Sequence, residues 1–402
     1  MVRIVVVGAG MAGARTVEAL RAEGHTGPVT LIGEEVHHPY DRPPLSKNVL
    51  SGKVEETTLN IDWPSLEATL RFGVRATGLR DGAVQTDDGE VPYDRLVIAT
   101  GAAPIRLPGP GPQHVLRTID DARGLRERMG PGKRVAVIGA GWIGAEVATA
   151  AAAAGATVTV VEAAEAPLAA VLGSGLGALT VPWYAEAGVE LLTDTKIAAI
   201  AEGGLERADG TFLPADEVVT GVGVRPDTAW LDGSGVALET GRVGGIVVDE
   251  HLRTSLPGVF AVGDVAAFKS VRYGCRLRVE HWDTALSAPR VAAANAVLDA
   301  TEGGEVYDPV PYFWSEQFGR MVQYAGHHDA GDTMVWRGDP AAAKWSVCWL
   351  DGEDNLTAVL AVRSPRDVVQ ARRELAAGPM PVDRERLADP GVALRECKRS
   401  AA

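Results

Sequence analysis

The residues best suited to chemistry are glycines that let backbone meet phosphate, together with an acid set a fixed distance behind them. Gly8, Gly10 and Gly13 follow the β-branched run of residues 4–7, with Ala12 in the same loop, and Glu34 closes the next apolar stretch. In a strand, turn, helix, strand unit the first glycine permits a tight turn and the second lets backbone approach a pyrophosphate. The third lets helix and strand pack closely. The helix N-terminus then offers unpaired N–H groups to the phosphates. Glu34 stands where a carboxylate accepts from adenosine ribose hydroxyls. The pattern returns 131 residues on, as Gly139, Gly141 and Gly144 with Ile143 between them, and the following strand ends in Glu162. Two such units in one chain point to two dinucleotides. Glu162 suits the 2′-hydroxyl of NAD and would repel the 2′-phosphate of NADP. Ala163, Ala164 and Glu165 add no cation to accept that phosphate, so NADH is the expected donor.

Other chemistry-bearing residues lie at turns and strand ends. Pro43 and Pro44 fix φ and remove donors, so residues 37–47 read as a stiff turn presenting Arg42 and Lys47 in set directions. His37 and His38 are adjacent in an extended segment, so they point apart, and no third metal ligand is evident. Thr100 and Gly101 end the apolar strand of residues 96–99, and Gly223 lies in residues 222–226, which read as the start of the return towards the first domain. Gly263-Asp264 ends the strand of residues 259–262, where an acid can accept from a sugar or ribityl hydroxyl or simply cap a turn. Glu280, His281 and Trp282 open an alanine-rich helix whose positive end suits a flavin pyrimidine carbonyl. His281 reads as a capping residue before a general acid. Trp314 and Trp345 read as core residues before cofactor contacts.

These residues need two doubly wound units and something besides. The expected fold is α/β, with two Rossmann-like dinucleotide-binding domains of the glutathione-reductase type and a C-terminal α+β domain. Residues 1–108 and 240–308 form the first nucleotide domain, 109–239 the second, and 309–402 the last. Residues 61–94 read as a β-meander inserted in the first. With 402 residues there is ample core. The balance of 39 basic and 53 acidic residues, net −14, disfavours nucleic acid and anionic membrane. No apolar run has membrane length. A first strand starting at residue 2 leaves no room for a leader, so a cytoplasmic protein is expected. Cys275, Cys348 and Cys397 form no C-x-x-C pair and read as idle thiols.

The chain resembles the FAD-containing, NADH-dependent ferredoxin reductases of aromatic-ring dioxygenase and bacterial cytochrome P450 systems, with rubredoxin reductases and apoptosis-inducing factor as relatives. The resemblance rests on GAGMAG, PYDRPPLSK, ATGAAP, GAGWIGAEVA, FAVGDVA, VEHWDTAL and PYFWSEQFG, which span nearly the whole chain. It implies FAD on the first glycine loop (Gly8, Gly10, Ala12, Gly13) and NADH on the second (Gly139, Gly141, Ile143, Gly144, with Glu162 and Gly223). Glu34 would hold the adenosine ribose of FAD, Arg42, Pro43 and Lys47 would border the flavin, and Asp264 would hold the ribityl chain. Thr100, Gly101, Gly263, Glu280, His281, Trp282 and Trp314 would complete the flavin's surroundings, and Glu146 would face Lys47 beside the nicotinamide. One departure stands out: after TAL the chain has Ser287-Ala288-Pro289-Arg290 where the family has residues like His-Gln-Gly, and Pro289 is expected to kink or restart the helix.

The implied activity is hydride transfer from NADH to flavin, followed by single-electron delivery to a [2Fe-2S] ferredoxin or similar small iron–sulfur protein, with rubredoxin second. The chain would act as a monomer or weak dimer. Catalysis would rest on placement and on a Lys47–Glu146 pair. A disulfide reductase needs a cysteine beside the flavin, and residues 40–50 contain none. A free-standing NADH oxidase and a redox-responsive, partner-binding flavoprotein are the alternatives. Arg290, Arg320, Arg363, Arg366, Arg372 and Arg373 are candidates for a basic docking patch.

Overall fold

A computed structural model describes residues 1–241, 243–298 and 303–399. Positions 242 and 299–302 of the expected 240–308 segment, and 400–402 of the expected 309–402 segment, lie outside the described residues. In chain order the elements that matter here are β1 (Ile4–Val7), α1 (Met11–Ala22), β2 (Val29–Gly33), β3 (Ala68–Phe72) and β4 (Arg95–Ile98). There follow β5 (Arg134–Ile138), α2 (Trp142–Ala153), β6 (Thr157–Val161), β7 (Glu190–Leu192), β8 (Glu217–Thr220), β9 (Val259–Ala261) and α3 (Trp282–Val297). The C-terminal part adds β10 (Tyr312–Gln317), β11 (Arg320–Gly326), β12 (Thr333–Arg337), β13 (Trp345–Leu350), β14 (Leu356–Val362) and α4 (Pro365–Ala377). The chain divides into two compact units: residues 1–41, 56–103 and 224–309, and residues 42–55, 104–223 and 310–402.

In the first unit, five parallel strands run in the order β9-β4-β1-β2-β3. Every residue of β1 is buried, which is why it reads as an unbroken β-branched run rather than an alternating one. Residues 68–72 belong to this sheet as its edge, with Val29 opposite Ala68. The meander is smaller than the sequence suggests: only residues 76–80, 83–86 and 89–92 form the antiparallel triplet, turning at Gly82 and Gly89 in positive φ. The period-2 signal of one short strand does not say whether its partner is parallel or antiparallel; that depends on pairing far away in sequence.

Helix α1 packs along α3, and α3 is continuous through Pro289. The helix does not restart at Pro289. A proline inside a helix costs about 3 kcal/mol. The opposing term is burial of Ala288, Val291, Ala292, Ala293 and Ala296 in the core of this unit, which at roughly 25 cal/mol per Å² is worth several kcal/mol and holds the helix together.

The second unit contains a parallel sheet in the order β7-β6-β5-β8, and a five-stranded antiparallel sheet in the order β10-β11-β14-β13-β12. All six residues of β13 are buried because both faces of its sheet are covered. Cys348 and Leu350 face the cluster that includes Val368, Ala371 and Leu375 of α4. Trp345, Val347 and Trp349 face Leu168, Leu172, Leu176 and Trp183 from the stretch after Glu162. Trp345 is thus a core residue, as its sequence context suggests. No helix among the described residues is long and apolar enough to cross a membrane.

The internal repeat extends to a matched pair of ion pairs. Asp94 accepts from the Arg3 amide at 2.7 Å and from its guanidinium at 2.8 and 3.1 Å; Asp216 does the same with Arg134, 131 residues after Arg3, at 2.8, 2.6 and 3.2 Å. Each bond favours the carboxylate. Side-chain and backbone hydrogen bonds from Arg3 hold Asp94 well below the usual range, and those from Arg134 bring Asp216 down to about 2. A carboxyl depressed in the folded state contributes stability that is present above its unfolded value near 4 and is lost as pH falls towards its folded value. We expect urea unfolding midpoints of Arg134→Ala to lie below wild type at pH 7 and to converge on it as pH falls from 4 to 2. An unchanged gap across that window would remove this linkage.

Candidate functional site

In the first unit the glycine loop is forced by close approaches. Gly8 has φ +106°, and a Cβ there would stand 2.2 Å from the Ala99 carbonyl oxygen; one on Gly13 would stand 1.8 Å from the Gly8 carbonyl oxygen. Neither position admits a side chain, so helix, turn and the tip of β4 are locked together. Gly10 is the N-cap of α1 in extended backbone and carries no side-chain cap, which leaves the helix start open to an anion. A Cβ on Gly263 would meet Ala12 at 3.1 Å, so the tip of β9 and the half-buried Asp264 sit beside the first turn of α1. Thr100 donates to the Asp227 carbonyl at 2.7 Å, and the Asp227 amide donates to Gly101 at 3.0 Å, fixing the turn after β4.

Around this cradle several polar atoms are buried and have no protein partner, among them Arg15 Nε and Asp41 Oδ1. Burial pushes the Asp41 carboxyl up, against the pull of the Trp282 N–H and of Arg15. An uncapped helix start, a glycine turn and orphaned buried donors and acceptors fit a dinucleotide with its own hydrogen-bonding groups. His281 is the N-cap of α3, its Nδ1 accepting from the Asp283 amide at 3.4 Å, so the capping reading holds for its ring. Glu280 pairs with Arg278. Glu34 pairs with Arg75, an exposed residue that sequence reasoning did not single out; it reaches Glu34 from the turn after β3. His37 and His38 make edge contacts with Tyr40 and Phe72.

The second unit repeats the cradle almost atom for atom. Gly139 has φ +96°, a Cβ on it would lie 2.5 Å from the Gly221 carbonyl oxygen, and one on Gly144 would lie 1.9 Å from the Gly139 carbonyl oxygen. Gly141 caps α2 without a side chain and faces open space. Glu162 differs from Glu34 in being tied to its own loop: its carboxylate accepts from the Ala140 amide at 2.7 Å and the Ala164 amide at 2.9 Å. Among the described residues no cation pairs with Glu162. Ile143 is exposed in the first turn of α2, and Gly223 is exposed with φ +110°, its carbonyl accepting from the Ile105 amide at 3.0 Å.

This unit also brings Lys47 to Glu146. Pro43–Ser46 is a single 3-10 turn with Arg42 at its N-cap, and it sets Lys47 Nζ 2.8 Å from Glu146 Oε2 and 3.2 Å from the Pro43 carbonyl. Arg42 points elsewhere, donating to the Arg117 carbonyl at 2.5 Å. Glu146 is 4% exposed, and three groups absent from the expected site complete its shell. Ser46 donates to Oε2; Ser315 at 2.6 Å and the Glu316 amide at 3.2 Å donate to Oε1. Serines carry too little signal alone to be picked out 100 and 169 residues from their acceptor. Trp314, one residue before Ser315, is half-buried with its ring 5.9 Å from that of Tyr312.

The candidate docking arginines do not form one unpaired set. Arg290 pairs with Glu305 at 2.5 Å, Arg320 with Glu186 at 2.5 Å, Arg363 donates to the Gly319 carbonyl, and Arg372 lies over the Tyr312 ring. Arg366 and Arg373 are exposed. Burial pushes the Cys348 and Cys397 thiols up, the opposite of activation, and Cys275 is only half-buried.

Comparison with known proteins places these features. The family described as pyridine nucleotide-disulphide oxidoreductase matches residues 2–288, and that described as reductase C-terminal matches residues 312–398. The chain is 39% identical to the ferredoxin–NAD(+) reductase component of an anthranilate 1,2-dioxygenase system from Burkholderia cepacia, over 97% of this chain and 98% of that protein. It is 32% identical to putidaredoxin reductase of Pseudomonas putida, over 98% and 96%. The crystal structure of Fdr9 superposes with a TM-score of 0.93 at 50% identity, covering 98% of this chain and 99% of that one. The covalent putidaredoxin reductase–putidaredoxin complex gives 0.91 at 32% identity, covering 98% of each.

Leaving Lys47 and the serine hydroxyls without their carboxylate removes one side of a buried ion pair, a loss of about 3 kcal/mol or more. Glu146→Ala is expected to lower the unfolding free energy by that amount in chemical denaturation. A change within about 0.5 kcal/mol, the size usual for surface substitutions, would mean the shell is not holding the unit together.

Proposed function

The chain belongs to the pyridine nucleotide-disulphide oxidoreductase family, and from that premise we propose that it passes electrons from NADH through FAD to a small iron–sulfur protein of the [2Fe-2S] ferredoxin type. The observation that carries this reading is a duplicated cradle for two dinucleotides in a chain with a buried Lys47–Glu146 pair and no thiol in residues 40–50. Its relatives, a ferredoxin–NAD(+) reductase component and a putidaredoxin reductase solved in complex with putidaredoxin, supply the acceptor class.

In this reading FAD is held by the loop of Gly8, Gly10, Ala12 and Gly13, by Glu34, and by the turns carrying Thr100, Gly101, Gly263 and Asp264. Glu280, His281 and Trp282, and Arg42, Pro43, Lys47 and Trp314, would supply its remaining contacts. NADH would take the loop of Gly139, Gly141, Ile143 and Gly144, with Glu162 for the ribose and Gly223 as a further contact. Bound FAD supplies the chemistry that turns a hydride into two single electrons. The protein's residues orient and polarise. Glu162, fixed by two amides, presents a negative edge that suits a ribose diol and repels a 2′-phosphate. Lys47 offers one positive charge whose direction Glu146 sets. The functional division is residues 1–108 and 240–308 for FAD, 109–239 for NADH, and 309–402 as the third part. A net charge of −14 disfavours nucleic-acid partners, and the reading is of a cytoplasmic protein, monomer or weak dimer.

The test is a stopped-flow and steady-state series on the purified chain. The protein should be yellow, bleach with NADH much faster than with NADPH, and reduce cytochrome c only when a ferredoxin is added. Lys47→Ala should slow bleaching by at least about tenfold, a barrier change near 1.4 kcal/mol. Fast NADH consumption in air without a carrier would favour an oxidase. Slow bleaching to a long-lived charge-transfer complex would favour a redox-responsive binding role.

A further inference from the structure

Gln317 is wholly buried, yet its side chain makes one hydrogen bond: Nε2 donates to Ser315 Oγ at 3.2 Å, and Oε1 has no protein partner. The direction of that bond follows from proton counting. Ser315 has one hydroxyl proton and gives it to Glu146 Oε1 at 2.6 Å, so its lone pair must accept, and the Gln317 amide must donate. The chain therefore runs Gln317 to Ser315 to Glu146 Oε1. On the other oxygen, Ser46 and Lys47 donate to Oε2, and Lys47 also reaches Ser46 Oγ at 3.3 Å. The two oxygens of one carboxylate are thus divided between β10 and the 3-10 turn.

We propose that Ser315 and Gln317 are positioning residues for Lys47: by holding Oε1 from β10 they turn Oε2 towards the ammonium and fix where its charge points. The inference rests on the functional reading above for its meaning, though its geometry stands without it. Side-chain freedom is what the arrangement removes. A carboxylate with one oxygen anchored keeps a single orientation, whereas an unanchored one can rotate and share its charge among several geometries. The unpartnered Oε1 of Gln317 bears a desolvation penalty that a hydrophobic residue of similar size would not, so global stability alone gives no reason for a glutamine here.

Neighbouring charges are engaged elsewhere. Arg42 is turned to the Arg117 carbonyl, Arg126 to Glu55, and Arg123 to the Glu55 carbonyl and Asp120, while the Glu316 carboxylate is exposed. Lys47 is the charged side chain whose position depends on Glu146.

The experiment measures how fast Lys47 reacts with a water-soluble amine-acetylating reagent at fixed pH in the full-length protein as purified, by peptide mass spectrometry, with exposed Lys53 as the internal control. Ser315→Ala should raise the Lys47 rate at least threefold relative to Lys53, Ser315→Thr should stay within twofold of wild type, and Gln317→Leu should raise it by a smaller factor. Gln317→Leu should at the same time unfold at a temperature no lower than wild type, which separates positioning from bracing. Unchanged Lys47 reactivity in both Ser315→Ala and Gln317→Leu would overturn the proposal, as would a Ser315→Thr protein as reactive as Ser315→Ala. Should Ser315→Ala fail to fold, Gln317→Leu decides alone. A chain that takes up no flavin would sink the functional reading, while the labelling ratio would still decide this one.

Discussion

Glu146 is a carboxylate taken almost entirely out of water, and a buried charge is tolerable only if its lone pairs are filled. Four donors fill them here, drawn from two separated stretches of chain: Ser46 and Lys47, then Ser315 and the amide of Glu316. The acid stands one turn into α2, directly after the second glycine loop. Removing either stretch would leave one of the two carboxylate oxygens without donors. The result is a second unit in which a proline-stiffened turn, the helix after the second glycine loop and the edge strand of an antiparallel sheet are held to one another by a single side chain.

The two cradles show a different kind of constraint, in which absence of atoms is the structural element. At Gly13 and Gly144 an added methyl group would sit within 2 Å of a carbonyl oxygen of the same loop. The same geometry that excludes a side chain brings the helix start against the strand and leaves its N–H groups without a cap. The paired arginine–aspartate bridges at the foot of each unit, Arg3–Asp94 and Arg134–Asp216, lie at repeat-related arginines. Duplication has kept the frame. What has diverged is the acid behind each loop: Glu34 turns to Arg75 at the surface, and Glu162 turns back on its own loop amides.

Continuity of α3 across Pro289 illustrates how tertiary burial outweighs a local penalty. Its alanine face lies against α1, so the helix that begins at the His281 cap continues to Val297. The C-terminal sheet shows the same rule for strands, since β13 alternates between two different cores and both are apolar.

Much of this was legible in the residues. Both glycine loops, both acids, the stiff turn and the C-terminal change of character follow from local patterns, because turns, helix starts and buried strands leave signatures within a few positions. Other features had no such signature. The pairing of residues 68–72 with the parallel sheet, the unbroken course of α3, Arg75 on Glu34, and the serines and glutamine around Glu146 all depend on groups tens to hundreds of residues apart. A serine or glutamine has no distinguishing pattern of its own. Only the folded chain, by deciding which polar atoms lose water together, decided which of them must bond.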